Sequence, residues 1–292
     1  MPVLPKRLSF PTGPAALTAA LCVMAAIATD ATRPAAAQGG RLEAEYNATL
    51  AGIPLGHGSW VIEIFEDQYT AAANGATTGV LKLFTGAHGT SAAHGTINGG
   101  QPVPTSYAAT INYDRKVDDV RMALAGGNVK DYSVEPPLPP LPDRIPVRDE
   151  DRHGVTDPLT STINRVAGNG DPVSPEACNR RVGVFDGRVR YDLRSEFKRM
   201  ENVKAEKGYQ GPVVVCAVFF TPISGYVPDR PAIKYLVALR DAEVWLAPIS
   251  GTRVLVPFRF QMPTPLGMGL LQATQFVTVA QPPHVSANVK TQ

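Results

Sequence analysis

Three kinds of side chain here carry the chemistry for a site: histidines, cysteines and paired carboxylates. The histidines are His57, His88, His94, His153 and His284. His88 and His94 are six apart, so an extended strand puts both on one face, as two metal ligands would be. A metal site needs a third and a fourth ligand, and no Asp, Glu or Cys stands at supporting spacing. The pair therefore reads as loop or surface histidines. Asp118-Asp119 and Asp149-Glu150-Asp151 fall in charged, turn-like segments and read as solvated carboxylates. The sequence contains no Gly-x-Ser-x-Gly elbow, no His-Glu-x-x-His and no phosphate loop. The residues thus suggest no metal, no cofactor and no enzymatic activity.

The cysteines are Cys22, Cys178 and Cys216. A redox or nucleophilic thiol would want a Cys-x-x-Cys pair or an activating base beside it, and neither is evident. Cys178 and Cys216 are most simply a disulfide, provided the chain works in an oxidising space. Trp60 and Trp245 each sit in an apolar run, so packing explains them better than a carbohydrate platform does. The stretch from Met262 to Leu271 sets Met and Leu between Pro and Gly, an adaptable apolar surface. Buried loop packing competes with a ligand-lining role there. The candidate lining residues are Met262, Leu266, Met268 and Leu270.

The N-terminal residues fit an export signal. Lys6 and Arg7 precede an uncharged run from Ala15 to Ala28, and small residues follow. That run is shorter than the roughly 20 apolar residues that span a bilayer, so a cleavable signal peptide is the better reading. Cleavage between Ala37 and Gln38 suits Ala35-Ala36-Ala37, with Ala26-Ile27-Ala28 as a competing site. Lipidation of Cys22 fits poorly, because Leu21 before it is large. A twin-arginine signal is present only in degraded form. The expected location is the periplasm, and no transmembrane segment is expected after cleavage.

Removing residues 1–37 also changes the charge. The chain has 28 basic and 26 acidic residues, and Lys6, Arg7, Arg33 and Asp30 leave with the signal, so the remainder is neutral. Arg188, Arg190, Arg194, Lys198 and Arg199 are interleaved with Asp186, Asp192, Glu196 and Glu201. No basic stripe of the kind that attracts nucleic acid remains. With 44% hydrophobic and 18% charged residues, residues 38–292 should fold as a single globular domain.

The elements that must position any site are mainly strands. Leu42–Leu50 and Ser59–Phe65 alternate as an opening hairpin around a turn at Gly52–Gly56, and Tyr69–Thr77 extends it. Val80–Phe84 fits a helical turn. Pro104–Ile111 and Val117–Leu124 read as further strands. A proline-rich crossing follows at 136–146, expected as an extended strut without a ladder. Asp157 and Pro158 open the best helix signal, with Leu159, Ile163 and Val166 on one face and Gly168 as the stop. Asp186-Gly187 reads as the two-residue turn of a hairpin from Val182 to Leu193. Pro212–Phe220 is continuously apolar, as a strand buried on both faces would be. Ala242–Leu246, Val254–Phe260 and Leu270–Val279 complete about ten strands. The expected fold is mainly β: a curved antiparallel sheet or open barrel with one or two short helices.

Several ordered motifs resemble a known family. They are Val184-Phe185-Asp186-Gly187-Arg188, Tyr191-Asp192-Leu193, Cys216 with Pro222-Ile223-Ser224-Gly225, and Asp157-Pro158-Leu159. Val244-Trp245-Leu246-Ala247-Pro248, Val256-Pro257, Leu266-Gly267, the Gly52 to Gly56 turn and Pro104 with Tyr107 agree in order. From about Leu42 to Phe276 the chain is similar to the domain of unknown function 3108 family. The resemblance implies an exported bacterial envelope protein of antiparallel β architecture, with no agreed activity and no catalytic residues to carry over. Its curved sheet loosely resembles the half-barrels of periplasmic lipid and lipoprotein carriers, which is an analogy of fold only.

These readings favour a non-enzymatic protein that supports the cell envelope and binds a lipid or other hydrophobic ligand in the concave face of its sheet. The alternatives are a scaffold that pairs with an envelope protein through a sheet edge, and a cell-wall or glycan hydrolase.

Overall fold

The computed structural model describes residues 39–79, 86–113 and 116–282. The expected signal peptide, the expected cleavage between Ala37 and Gln38, and the helical turn expected at Val80–Phe84 lie outside the described residues.

Two antiparallel meanders build one sheet. The first comprises β1 (Gly39–Leu50), β2 (Ile53–Ile64), β3 (Gln68–Thr77), β4 (His88–Asn98), β5 (Gln101–Tyr113), β6 (Lys116–Ala125) and β7 (Asn128–Glu135). After the crossing come β8 (Asn164–Arg165), β9 (Arg180–Phe185), β10 (Arg190–Lys204), β11 (Lys207–Gly208) and β12 (Gln210–Ser224). The helix α1 (Pro231–Ala238) precedes β13 (Glu243–Pro248), β14 (Val254–Thr264) and β15 (Gly267–Gln281). The order across the sheet is β7-β6-β5-β4-β3-β2-β1-β15-β14-β13-β12-β10-β9. The meanders join where β1 pairs antiparallel with β15, Leu42 opposite Thr278 and Ala44 opposite Phe276.

Period-two alternation decides which face is inside. In β1, Leu42, Ala44 and Tyr46 are buried while Glu43 and Glu45 are exposed. Trp60, Ile62 and Ile64 continue that face on β2, Tyr69 and Ala71 on β3, and Val120, Met122 and Leu124 on β6. Apolar side chains on one phase of each strand give the sheet a concave apolar lining. The run from Val213 to Ala217 is buried throughout, as its unbroken apolar sequence requires.

The sheet does not close on itself, and the crossing spans the gap between its edges. Residues 136–149 form no ladder, and Ile145 N–H bonds Tyr226 O at 2.9 Å. Val155 N–H then bonds Gly127 O in the β6–β7 turn, at 2.8 Å. Thr156 N–H bonds Gly183 O on β9 and Thr156 O accepts from Phe185 N, both at 2.9 Å. From there the chain turns inward, and Asp157, Thr160 and Ile163 are buried.

The helix expected from Asp157 is not formed. Asp157 Oδ1 does accept from Thr160 N–H at 2.8 Å, as a cap would. The segment makes only a 3-10 turn at Thr160–Thr162 before β8. Ser161 Oγ and Thr162 Oγ1 donate back to Pro158 O and Leu159 O, hydroxyl bonds that compete with helix propagation. The apolar face expected of a helix is buried by an extended chain instead. Among the described residues the α-helix is α1, which starts on Pro231.

Three further expectations shift. The β1–β2 turn is Ala51-Gly52, and Ile53 already belongs to β2. The β9–β10 turn centres one residue later than expected, since Asp186 N–H bonds Val189 O and Asp186 Oδ1 accepts from Arg188 and Val189. The Gly- and Ala-rich stretch around His88 and His94 is the strand β4 rather than a loop. Among the described residues no helix is long and apolar enough to cross a membrane.

A candidate ligand cavity behind the sheet

Between the concave sheet and the inward-turned crossing lies a cavity of ≈ 520 Å³. The first meander contributes Tyr46, Trp60, Ala73 and Tyr107. The second contributes Val182, Leu193, Val218, Val244, Phe260 and Leu271, and the crossing contributes Pro158 and Leu159. The register explains this convergence. Val182 faces Leu193, Val244 faces Phe260, and Phe260 faces Leu271, so one phase of five strands points the same way. A volume within roughly 300–1,000 Å³ and an aromatic and aliphatic lining are what small-ligand cavities have.

The polar groups of the wall are mostly engaged by the protein. Ser195 Oγ donates to Cys178 O at 2.8 Å, and Asn164 Nδ2 to Ala177 O at 2.8 Å. Ser161 and Thr162 bond their own turn. At the rim, exposed Asn74 donates to Ser59 Oγ at 2.6 Å. Tyr46 Oη donates to Pro257 O, and burial pushes the Tyr46 and Tyr107 phenols up.

Two arginines line the cavity, and Arg194 is ion-paired with Glu196 whereas Arg180 is held by carbonyls. Arg180 Nη1 donates to Ser161 O at 2.5 Å and its Nη2 to Ile163 O at 3.4 Å. Burial pushes its pKa down to about 10. The side chain is half-buried and lines the cavity, so a guanidinium charge stands in an apolar enclosure facing two carbonyls.

A disulfide anchors the loop beside this wall, on the face that carries Val218 and Val244. Cys178 and Cys216 are bonded, with 5.4 Å between their Cα atoms. The bond ties the 3-10 turn Pro175–Cys178 to β12, beside a second apolar cluster of Val166, Val173, Val214 and Leu255. Arg253 secures the same loop by bonding Val166 O, Ala167 O and Gly170 O.

The lining residues expected from sequence are not among those around this cavity. Leu266 is 76% exposed at the tip of the β14–β15 hairpin, and Met268 is 43% exposed. Met262 lies two residues beyond Phe260, and neither it nor Leu270 lines the cavity. Leu271, one position along, takes that role because alternation turns Leu270 to the opposite face. The exposed His88 and His94 do lie on one strand face, with His94 Nδ1 3.1 Å from Thr105 Oγ1. Among the described residues no three His, Cys, Asp or Glu side chains are placed to hold a metal ion.

Trp245 is packed, as its apolar run implied. Its Nε1 donates to Glu201 at 2.8 Å, and the guanidinium carbons of Arg199 and Arg259 lie 5.4 Å and 5.1 Å from its ring centre.

A family model described as "Protein of unknown function (DUF3108)" matches residues 45–274. No curated protein matches the chain. Among solved structures, the crystal structure of a beta-barrel-like protein of domain of unknown function DUF1849 from Brucella abortus is similar to this chain. The two share 9% identity over 82% of this chain and 96% of that one, with a TM-score of 0.38.

Proposed function

The chain belongs to the DUF3108 family, and we propose that it is a non-enzymatic periplasmic protein of the cell envelope that holds a hydrophobic ligand, a lipid acyl chain, inside its curved sheet. The observation that carries this reading is the ≈ 520 Å³ cavity with its aromatic and aliphatic lining. An acyl chain moved from water into such a wall gains about 0.8 kcal/mol per buried methylene.

The wall hydroxyls and amides support binding over catalysis, because main-chain carbonyls already engage Ser161, Thr162, Asn164 and Ser195. A hydrolase would need such groups turned toward a substrate. The periplasmic location is supported by the basic and apolar N-terminal residues and by the Cys178–Cys216 disulfide, a bond that persists in oxidising compartments.

The test is mass spectrometry of what stays bound after gentle purification, together with fractionation of intact cells. Acyl lipid at near one per chain in the periplasmic fraction is expected. A ligand-free protein that binds no acyl probe would overturn the binding reading, and recovery in the cytosol would overturn the location.

One feature favours a scaffold as a second reading. Among the described residues β7 pairs with β6 alone, and Lys130, Asp131 and Ser133 on it are exposed. A partner strand could add to that edge. Cross-linking from β7 in intact cells would then trap one constant partner.

A further inference from the structure

Arg180 identifies the head of the ligand, and the argument rests on the acyl-binding reading above. A guanidinium carries five N–H donors and keeps its charge at any physiological pH. Among the described residues two of those donors are met, by the carbonyl oxygens of Ser161 and Ile163. A tether to two carbonyls needs no charge, and an uncompensated charge in an apolar enclosure is costly. The charge is explained if the enclosure regularly holds its counter-ion.

The strand pattern agrees. Arg180, Val182 and Val184 share one phase of β9, and Val182 lines the same cavity. Ser195 faces Arg180 across the ladder, and its hydroxyl is already bonded to Cys178 O. Among the described residues no Asp or Glu lines the cavity, and none forms an ion pair with the Arg180 guanidinium. The planar fork suits two parallel bonds to an oxyanion.

We propose that the ligand is a single-chain amphiphile with an oxyanion head, the head seated at Arg180 and the chain along Trp60, Leu193, Phe260 and Leu271. A fatty-acid carboxylate is the simplest such molecule, and a single-chain phosphate shares its chemistry.

The test is displacement of a fluorescent acyl probe from the purified full chain by palmitate, by a single-chain lysophosphatidic acid and by hexadecanol. At least one of the two anions should bind about tenfold or more tighter than the alcohol, the advantage expected of a charge-assisted pair. Whichever anion binds more tightly names the head. Arg180→Leu should abolish the advantage and leave the alcohol's affinity unchanged, whereas Arg180→Lys should retain much of it. Equal binding of all three by the native chain would overturn the proposal while leaving the acyl-binding reading intact. Failure of every probe to bind would overturn both. The native comparison decides the matter even if Arg180→Leu fails to fold.

Discussion

Tyr46 Oη donates a 2.6 Å hydrogen bond to the carbonyl oxygen of Pro257. The bond links β1 to β14 across β15 and fixes the tyrosine ring beside Trp60, 6.4 Å between ring centres. It thereby sets one corner of the cavity.

Tyr46→Phe keeps the ring and strips Pro257 O of this donor. Losing this bond to a part-buried carbonyl should cost about 1 kcal/mol, read by urea denaturation. A loss below about 0.5 kcal/mol would show that water or another donor reaches Pro257.

Asp157 should make stability depend on pH in an unusual direction. Burial raises its carboxyl above the ordinary value, with the bonds from Thr160 opposing. An unfolded Asp titrates near about 3.9, so over the window above that value the folded chain keeps a proton the unfolded chain has released. The stabilisation is whole below about pH 3.9 and is lost as pH rises through the folded pKa. Asp186, also raised by burial, acts in the same sense. Asp157→Asn keeps an acceptor for Thr160 and removes the titration. The variant should gain on the native chain between about pH 4 and pH 7, by about 1.4 kcal/mol for each unit of the native shift. Denaturation curves showing one constant difference across that range would refute it.

The disulfide spans 38 positions, and closing a loop of that size is worth about 4 kcal/mol in chain entropy. Cys178→Ser with Cys216→Ser should lower stability by about that amount. The acyl probe should also bind more weakly, because the loop beside Leu246 loses its anchor. Unchanged gel mobility of the native protein with and without reductant would show that the bond is absent in cells.

Two glycines with similar backbone angles should respond differently to alanine. Gly225 has φ +83° and a Cβ there would meet Arg188 O at 2.0 Å, whereas Gly52 has φ +82° and open space. Gly52→Ala should cost about 1 kcal/mol from backbone strain alone. Gly225→Ala should cost more than about 2 kcal/mol, because the carbonyl it strikes is main chain. Equal melting temperatures for the two variants would contradict this.

Much of the fold was legible from side-chain alternation. β1, β2 and β6 carry large residues on one phase, and the unbroken apolar run of β12 announced its burial. β4 escaped because His88-Gly89-Thr90-Ser91-Ala92-Ala93 has little hydrophobic contrast between its faces. Its strand form comes from the ladders on either side, Ala93 pairing with both Ala71 and Tyr107. The segment after Asp157 carries true helix-start chemistry, and tertiary burial of Leu159 and Ile163 overrode it.

The cavity was not legible as a site, since its wall takes one or two residues from each of many elements. Arg180 left a usable trace. It breaks an otherwise apolar phase ending in Val182 and Val184, and a charge on the buried phase of a strand points to a function. The Met- and Leu-rich stretch drew attention through composition, while register gave the lining role to Leu271.

The pairing of β1 with β15 sets the order in which this chain can mature. The first strand to leave the ribosome must wait for the last before the two meanders can join, with Gly40 opposite Ala280. Sheets built from such distant pairings fold slowly. Until β15 has been made, the two meanders cannot join along this seam. For the exported protein proposed above, that delay would hold the two meanders apart until the chain had crossed.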